Sequence, residues 1–184
     1  STLPWAFGWI TLSVLILVFV FTGSIILPIK AVLLNVLSLA ATMGVLTWVF
    51  IDGNLRWLVG DFTLTGSVDT SIVILIAVVV FGLSMDYELF LLSRIREEHL
   101  QGRSNIESVA TGLQRSARII TAAAVLLAVV FAAFVTSGVT SIKSMGFGVA
   151  LAVILDATVI RALLVPALMR LFGERNWWAP KSLQ

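Results

Sequence analysis

Three consecutive polar residues, Asp86, Tyr87 and Glu88, lie inside FGLSMDYELFLLSRIREEHL, a stretch that starts as lipid-soluble helix and finishes as water-soluble helix. An aspartate at the centre of a bilayer span costs about 2.5–3.5 kcal/mol on the insertion scale, so such groups face a protein interior or a water-filled path. A carboxyl group that exchanges protons there can draw on the membrane potential, worth about 2.3 kcal/mol per elementary charge per 100 mV. Asp86 is therefore a candidate proton carrier, ionised beside a cation or protonated. The competing reading is an interhelical hydrogen bond that fixes packing, which Ser or Asn would supply at lower cost. Gly82 and Phe90, four residues to either side, share the helix face of Asp86, and the glycine permits close approach of another helix or a substrate. Tyr87 is rotated by about 100° from Asp86. Its hydroxyl is placed to meet a partner on a second helix.

Other polar residues in apolar surroundings are weaker candidates for a supporting network. Glu88 falls roughly opposite Asp86 and close to Arg94, where snorkelling to the interface is expected. Asp156 sits in the middle of ALAVILDATVIRALLVPALMR and reads either as a second relay acid or as a packing group. Arg161 is five positions on, about 140° around an α-helix, too far round for an i,i+4 pair. It is expected to anchor toward the basic side, with Pro166 loosening the helix beyond it. Thr121 and Asn35 are polar enough to join an internal network, or simply to hold helices together. His99 reads as a solvated side chain.

The elements that must position these groups follow from composition. Of 184 residues, 59% are apolar and 12% charged, with mean hydropathy +1.07. Soluble domains carry about 25% charge. The chain therefore reads as all-α and polytopic in a membrane. Its charge of +2 does not indicate a nucleic-acid partner, because the basic residues gather at helix ends. There is no cysteine and one histidine, and no Walker-type phosphate loop, so thiol chemistry and ATP hydrolysis by that route are excluded and no cofactor or metal is expected. The first apolar segment lacks the leader and cleavage site of a signal peptide. The chain reads as a portion of something longer.

A helix needs about 20 apolar residues to cross the hydrocarbon core. Runs of that kind fall at roughly 5–22, 31–51, 71–93, 117–138 and 144–170. Pro4, Trp5 and Trp9 open the first as interfacial anchors, and Pro28-Ile29-Lys30 is expected to turn the chain back before the second. Residues 52–70 are too polar to cross and should lie at the surface. Lys30, Arg94, Arg96, Arg103, Arg115, Arg118, Arg170, Arg175 and Lys181 gather in one set of connections, and only Arg56 and Lys143 in the other. Short basic loops stay cytoplasmic, which predicts an N-terminus outside and a C-terminus inside. Ser104-Asn105-Ile106-Glu107 fits a capping box. Behind it Ile106, Val109, Ala110, Leu113 and Ala117 form an apolar stripe, predicting an amphipathic cytoplasmic helix over 104–116 that runs into the fourth span.

GLSMDYELFLLSRIREE together with LDATVIRALLVPALMRLFGERNWWAP resembles the last five membrane helices of the mycobacterial membrane protein large (MMPL) family within the resistance–nodulation–division superfamily. The resemblance runs from the first span through NWWAP and implies helices eight to twelve of a twelve-helix transporter in the bacterial inner membrane. It implies proton-driven export of lipids or other hydrophobic compounds, not an enzymatic reaction. Asp-Tyr pairs on two central helices would form the relay, and only Asp86 and Tyr87 carry that role here. The implied partners are protons, membrane lipids, a hydrophobic or lipid substrate, and the remaining half of the transporter with its second Asp-Tyr helix and porter domains. Association as a homo-oligomer stays open. A protein-export motor subunit of the same superfamily and a sterol-sensing or receptor-like module without transport are the alternatives.

Overall fold

The structure, a computed structural model, describes residues 3–62 and 70–178. The side chain of Pro4, linker positions 63–69 and Lys181 lie outside the described residues. Among the described residues every regular element is helical: α1 (Leu3–Thr22), α2 (Ile26–Phe50), a single turn α3 (Arg56–Val59), α4 (Thr70–Leu100), α5 (Asn105–Ala133), α6 (Thr140–Leu155) and α7 (Val165–Phe172). A π-helical segment, Asp156–Leu164, joins α6 to α7, and a 3-10 turn, Gly173–Trp177, follows α7. Four helical runs are long and apolar enough to cross a membrane, and α1 contributes a shorter apolar helix. The chain is an all-α transmembrane bundle.

The helix limits differ from the apolar runs for local reasons. α2 begins at Ile26, because Ser24 Oγ accepts from the Ile26 N–H at 3.2 Å. The reversal is therefore made at Gly23, with φ of 64°, and Pro28 sits in the first turn of α2, where a missing N–H loses nothing. α4 continues past its apolar residues to Leu100 and stops at Gly102, whose φ is 85° and whose N–H bonds His99 O at 3.0 Å. The capping box forms: Ser104 Oγ accepts from the Glu107 N–H at 3.4 Å and Glu107 Oε2 accepts from the Ser104 N–H at 3.2 Å. From it one unbroken helix, α5, runs through both the expected amphipathic stretch and the fourth span.

The chain divides into two compact units, the first drawn from Ser1–Asn35, Met85–Arg118 and Ile160–Gln184, the second from Val36–Ser84 and Ile119–Val159. In the first unit, α1 buries Val14, Val18 and Thr22, one residue per turn. Of the apolar stripe at the start of α5, Val109 is buried and Leu113 and Ala117 are half-buried. Ile106 and Ala110 are exposed, and the buried side is Asn105, Ser108, Val109, Gly112 and Ser116. Small residues there let the two helix backbones approach closely. A Cβ at Gly112 would stand 2.9 Å from Ile95 Cα. Nearby, the buried Glu98 joins Arg103 at 2.9 Å and also Arg115, closing the α4–α5 hairpin.

A polar knot gathers the ends of five elements of this unit. Asn176 is fully buried; its Nδ2 donates to Met169 O and Gly173 O, each at 2.6 Å, and to Asn105 Oδ1 at 3.5 Å. Its Oδ1 accepts from Lys30 Nζ and its main-chain oxygen from Ser24 Oγ. Asn105 Nδ2 donates to Met169 O at 2.9 Å, and Trp177 Nε1 donates to Asn105 Oδ1 at 3.1 Å. Contrary to the solvated reading, His99 stacks on Trp177 with ring centroids 4.2 Å apart. Arg96 donates to Phe21 O at the end of α1. Several basic residues counted as topology signals therefore also tie helix ends together.

The second unit packs Leu46, Val49 and Phe50 of α2 with Ile76 and Val80 of α4, Ala124 of α5, and Val149 and Val153 of α6. Glycines set the spacing again. A Cβ at Gly146 would meet Phe131 O at 2.6 Å, and one at Gly148 would meet Leu46 Cδ1 at 2.9 Å. Replacing Gly112 by Ala in the first unit should destabilise the protein by about 1–3 kcal/mol, since the clash is with backbone that cannot rotate away. A lowered thermal midpoint in detergent, against an unchanged or raised one for exposed Gly44→Ala, where a Cβ would meet nothing within 4 Å, is the expected measurement.

Candidate proton relay site

Asp86, Tyr87 and Glu88 are successive on α4, so the helix sends them to three different surroundings. Asp86 is exposed, on the same helix side as Gly82, where a Cβ would meet nothing within 4 Å. Tyr87 is half-buried. The guanidinium carbon of Arg161 lies 4.9 Å from its ring centroid, an arrangement worth about 0.5–2 kcal/mol, rising with desolvation. Arg161 is itself buried, with 2% of its surface exposed. It fixes the tyrosine ring rather than anchoring at an interface.

Glu88 does not snorkel. It is 4% exposed, and its Oε2 accepts from Asn35 Nδ2 at 3.1 Å. The same Nδ2 bonds Ala31 O and Met85 Sδ, each at 3.1 Å, so Asn35 bridges α2 to α4. Arg94, four residues before Glu98 on the outer surface of the helix, pairs instead with Glu97 at 3.0 Å. A cavity of about 10 Å³, the size of one water, separates Glu88 from Lys30 among Leu27, Leu34, Leu92 and Val165. Lys30 Nζ also donates to Leu168 O at 3.4 Å.

In the second unit Asp156 is buried, and its Oδ1 accepts from Ser84 Oγ at 2.7 Å. Thr121 does not join it. That side chain is exposed at the edge of an apolar groove of about 440 Å³ formed with Ala124, Ala128, Ala132 and Ala157. Positions 156 to 164 are π-helical, not α-helical. Pro166 has no N–H and its ring clashes with the carbonyl four residues back, so the preceding turn widens to i→i+5 bonding. The 140° separation expected for positions 156 and 161 presumed α geometry. In the wider helix residues five apart follow one another along the hydrogen-bond ladder.

Sequence reasoning missed Ser84, the burial of Glu88 and the Asn105–Asn176 knot. Ser84 carried a usable signal, being a polar residue inside the same apolar run as Asp86. Nothing local distinguishes Asn176 from a surface asparagine.

Apolar spans, a buried acid held by a serine and an exposed acid beside an arginine-covered tyrosine describe a multi-pass membrane protein with polar groups placed inside its helical bundle. Residues 6–184 match the MMPL family, and the chain belongs to it. It is 48% identical over 181 residues to a Streptomyces coelicolor protein named only as a membrane protein, covering 98% of this chain and 26% of the relative. It is 46% identical to the trehalose monomycolate exporter MmpL3 of Mycobacterium tuberculosis, covering 92% of this chain and 18% of that protein. It is 43% identical to the mycolic acid-containing lipids exporter MmpL11 of Mycolicibacterium smegmatis, covering 100% and 19%. The chain thus spans about a quarter or less of the curated relatives it matches.

If Glu88 serves mainly as an acceptor for Asn35, Glu88→Gln should leave thermal stability nearly unchanged. Glu88→Leu should cost about 0.5–1.5 kcal/mol, the worth of one hydrogen bond, because the Asn35 amide keeps Ala31 O as an acceptor. Equal losses in both variants, by thermal unfolding in detergent, would show instead that the charge is what matters.

Proposed function

We propose that this chain is the last five membrane helices of a proton-driven secondary transporter that exports lipids or other hydrophobic compounds across the bacterial inner membrane. The observation that carries the reading is Asp86, exposed on an otherwise apolar side of α4 beside a glycine that leaves room for close approach. Lipid does not tolerate an exposed carboxylate, so this side is suited to a protein or water lining supplied by the rest of a longer polypeptide.

Proton binding converts the carboxylate to a neutral acid and lowers the cost of its desolvation. Release to the other side restores the charge. A helix whose position depends on that charge can alternate between two arrangements, and the membrane potential supplies the bias. Tyr87, with Arg161 against its ring, is the residue that would work beside Asp86 in the relay. Asp156 with Ser84 and Glu88 with Asn35 serve as supporting polar pairs. The lipid class is suggested by the relatives named for exporting trehalose monomycolate and mycolic acid-containing lipids.

In the full-length protein, Asp86→Asn should reduce lipid export under an imposed proton gradient to background while expression and membrane insertion persist. Export at the unmodified rate would overturn the relay. Tyr87→Phe should give a partial loss, at most about 1.5–3 kcal/mol. The same reading places the N-terminus outside and the C-terminus in the cytoplasm. A membrane-impermeant maleimide on intact cells should therefore label Asp61→Cys and spare Gln101→Cys, and the reverse pattern would invert the topology.

A further inference from the structure

The segment after α2 takes no part in the relay, yet it is held by an unusual interaction. Lys143, counted in the sequence as a surface charge, is 7% exposed, and its Nζ donates to Val59 O and Asp61 O, each at 3.0 Å. A buried ammonium needs such acceptors, so it pins the backbone that supplies them. Gly60 between them has φ of 79°, and Lys143 Nζ stands 3.4 Å from where its Cβ would be. Below, Val59 is buried and the Phe62 ring packs 4.9 Å from that of Phe50. Leu55 enters the turn with φ of 57°, a conformation a branched side chain adopts only where its surroundings impose it.

Pinned on its Val59 side, α3 presents Trp57, 82% exposed, and Leu58, 60% exposed, with the exposed Arg56 beside them. One helix end away, Trp48 in the last turn of α2 is also exposed, and its carbonyl accepts from Asn54 Nδ2 at 2.9 Å. Exposed tryptophans thus stand on both sides of the turn, in α3 and in the last turn of the span before it. The geometry points to α3 as a foot seated in the lipid leaflet, with Trp57 and Leu58 at the boundary between headgroups and acyl chains and Arg56 toward phosphate. Tryptophan is the side chain suited to that depth, and an apolar pair flanked by a cation suits a phospholipid surface. Such a foot sets how deep the ends of α2 and α4 lie. It is independent of the proton relay.

The test uses the full-length protein in phosphatidylcholine–phosphatidylglycerol nanodiscs, with any native cysteines replaced by serine. Trp57→Cys, Leu58→Cys and the control Asp61→Cys each carry an environment-sensitive fluorophore. Headgroup-level nitroxide lipid should quench positions 57 and 58 at least about twofold more than position 61, and aqueous iodide should quench them less. Because 57 and 58 report the same face separately, loss of one variant to misfolding leaves the other decisive. Iodide quenching equal to that of position 61 would overturn the proposal in favour of a solvated turn. Protection from both quenchers would overturn it in favour of a protein-covered surface.

Discussion

A polar group buried out of reach of water, in the bilayer or inside the protein, must be satisfied by the chain itself, and this constraint governs how the helices are joined. Asn176 illustrates it. Buried completely, it engages Met169, Gly173, Asn105, Lys30 and Ser24 and so ties the C-terminal turn to the helix ends around it. Each such bond contributes only about 0.5–1.5 kcal/mol net, but leaving a buried partner unsatisfied costs more. The same logic places Lys143 under two carbonyls and Ser84 on Asp156. Polar residues fix which helices meet, while glycines fix how closely.

Helix packing in lipid gains little from burying apolar surface, so close contact must supply the attraction. Gly146 against Phe131 is a contact of this kind, at which an added Cβ would stand 2.6 Å from a carbonyl oxygen. The π segment before Pro166 is a second departure from regular packing. It widens the helix between Asp156 and Leu164, a stretch that carries Asp156 and Arg161. Wide turns of this kind recur at functional sites because they re-aim side chains without ending the helix.

The number and order of apolar helices were legible from run length alone, because the membrane thickness leaves few alternatives. Their ends were not. α2 starts at Ile26 rather than after Lys30, since Ser24 caps it, and α4 extends to Leu100 because charged residues prolong a helix as readily as apolar ones. The capping box at Ser104 was legible, being a local exchange of hydrogen bonds. The buried side of early α5, with Asn105, Ser108, Gly112 and Ser116 beside Val109, was not marked by hydrophobicity, because small residues do the packing there. For the candidate site, Asp86 and Tyr87 stood out as costly groups in an apolar run. The tyrosine's arginine, the glutamate's asparagine and the aspartate's serine are 50 to 75 residues distant in sequence, and no local pattern announces them.

By itself the sequence determined the solvent, the all-α class, the family resemblance and the identity of the acids, since each rests on composition or on residues close together along the chain. Tertiary structure alone decided that Arg161 covers Tyr87, that Glu88 is buried on Asn35, that Lys143 faces inward to grip the turn at Gly60, and that Asp86 stays exposed. Those outcomes depend on which helix faces come into contact. That choice is made by close approach at glycines and by the demand that every dry polar group find a partner, conditions that can be met only after distant segments have been brought together.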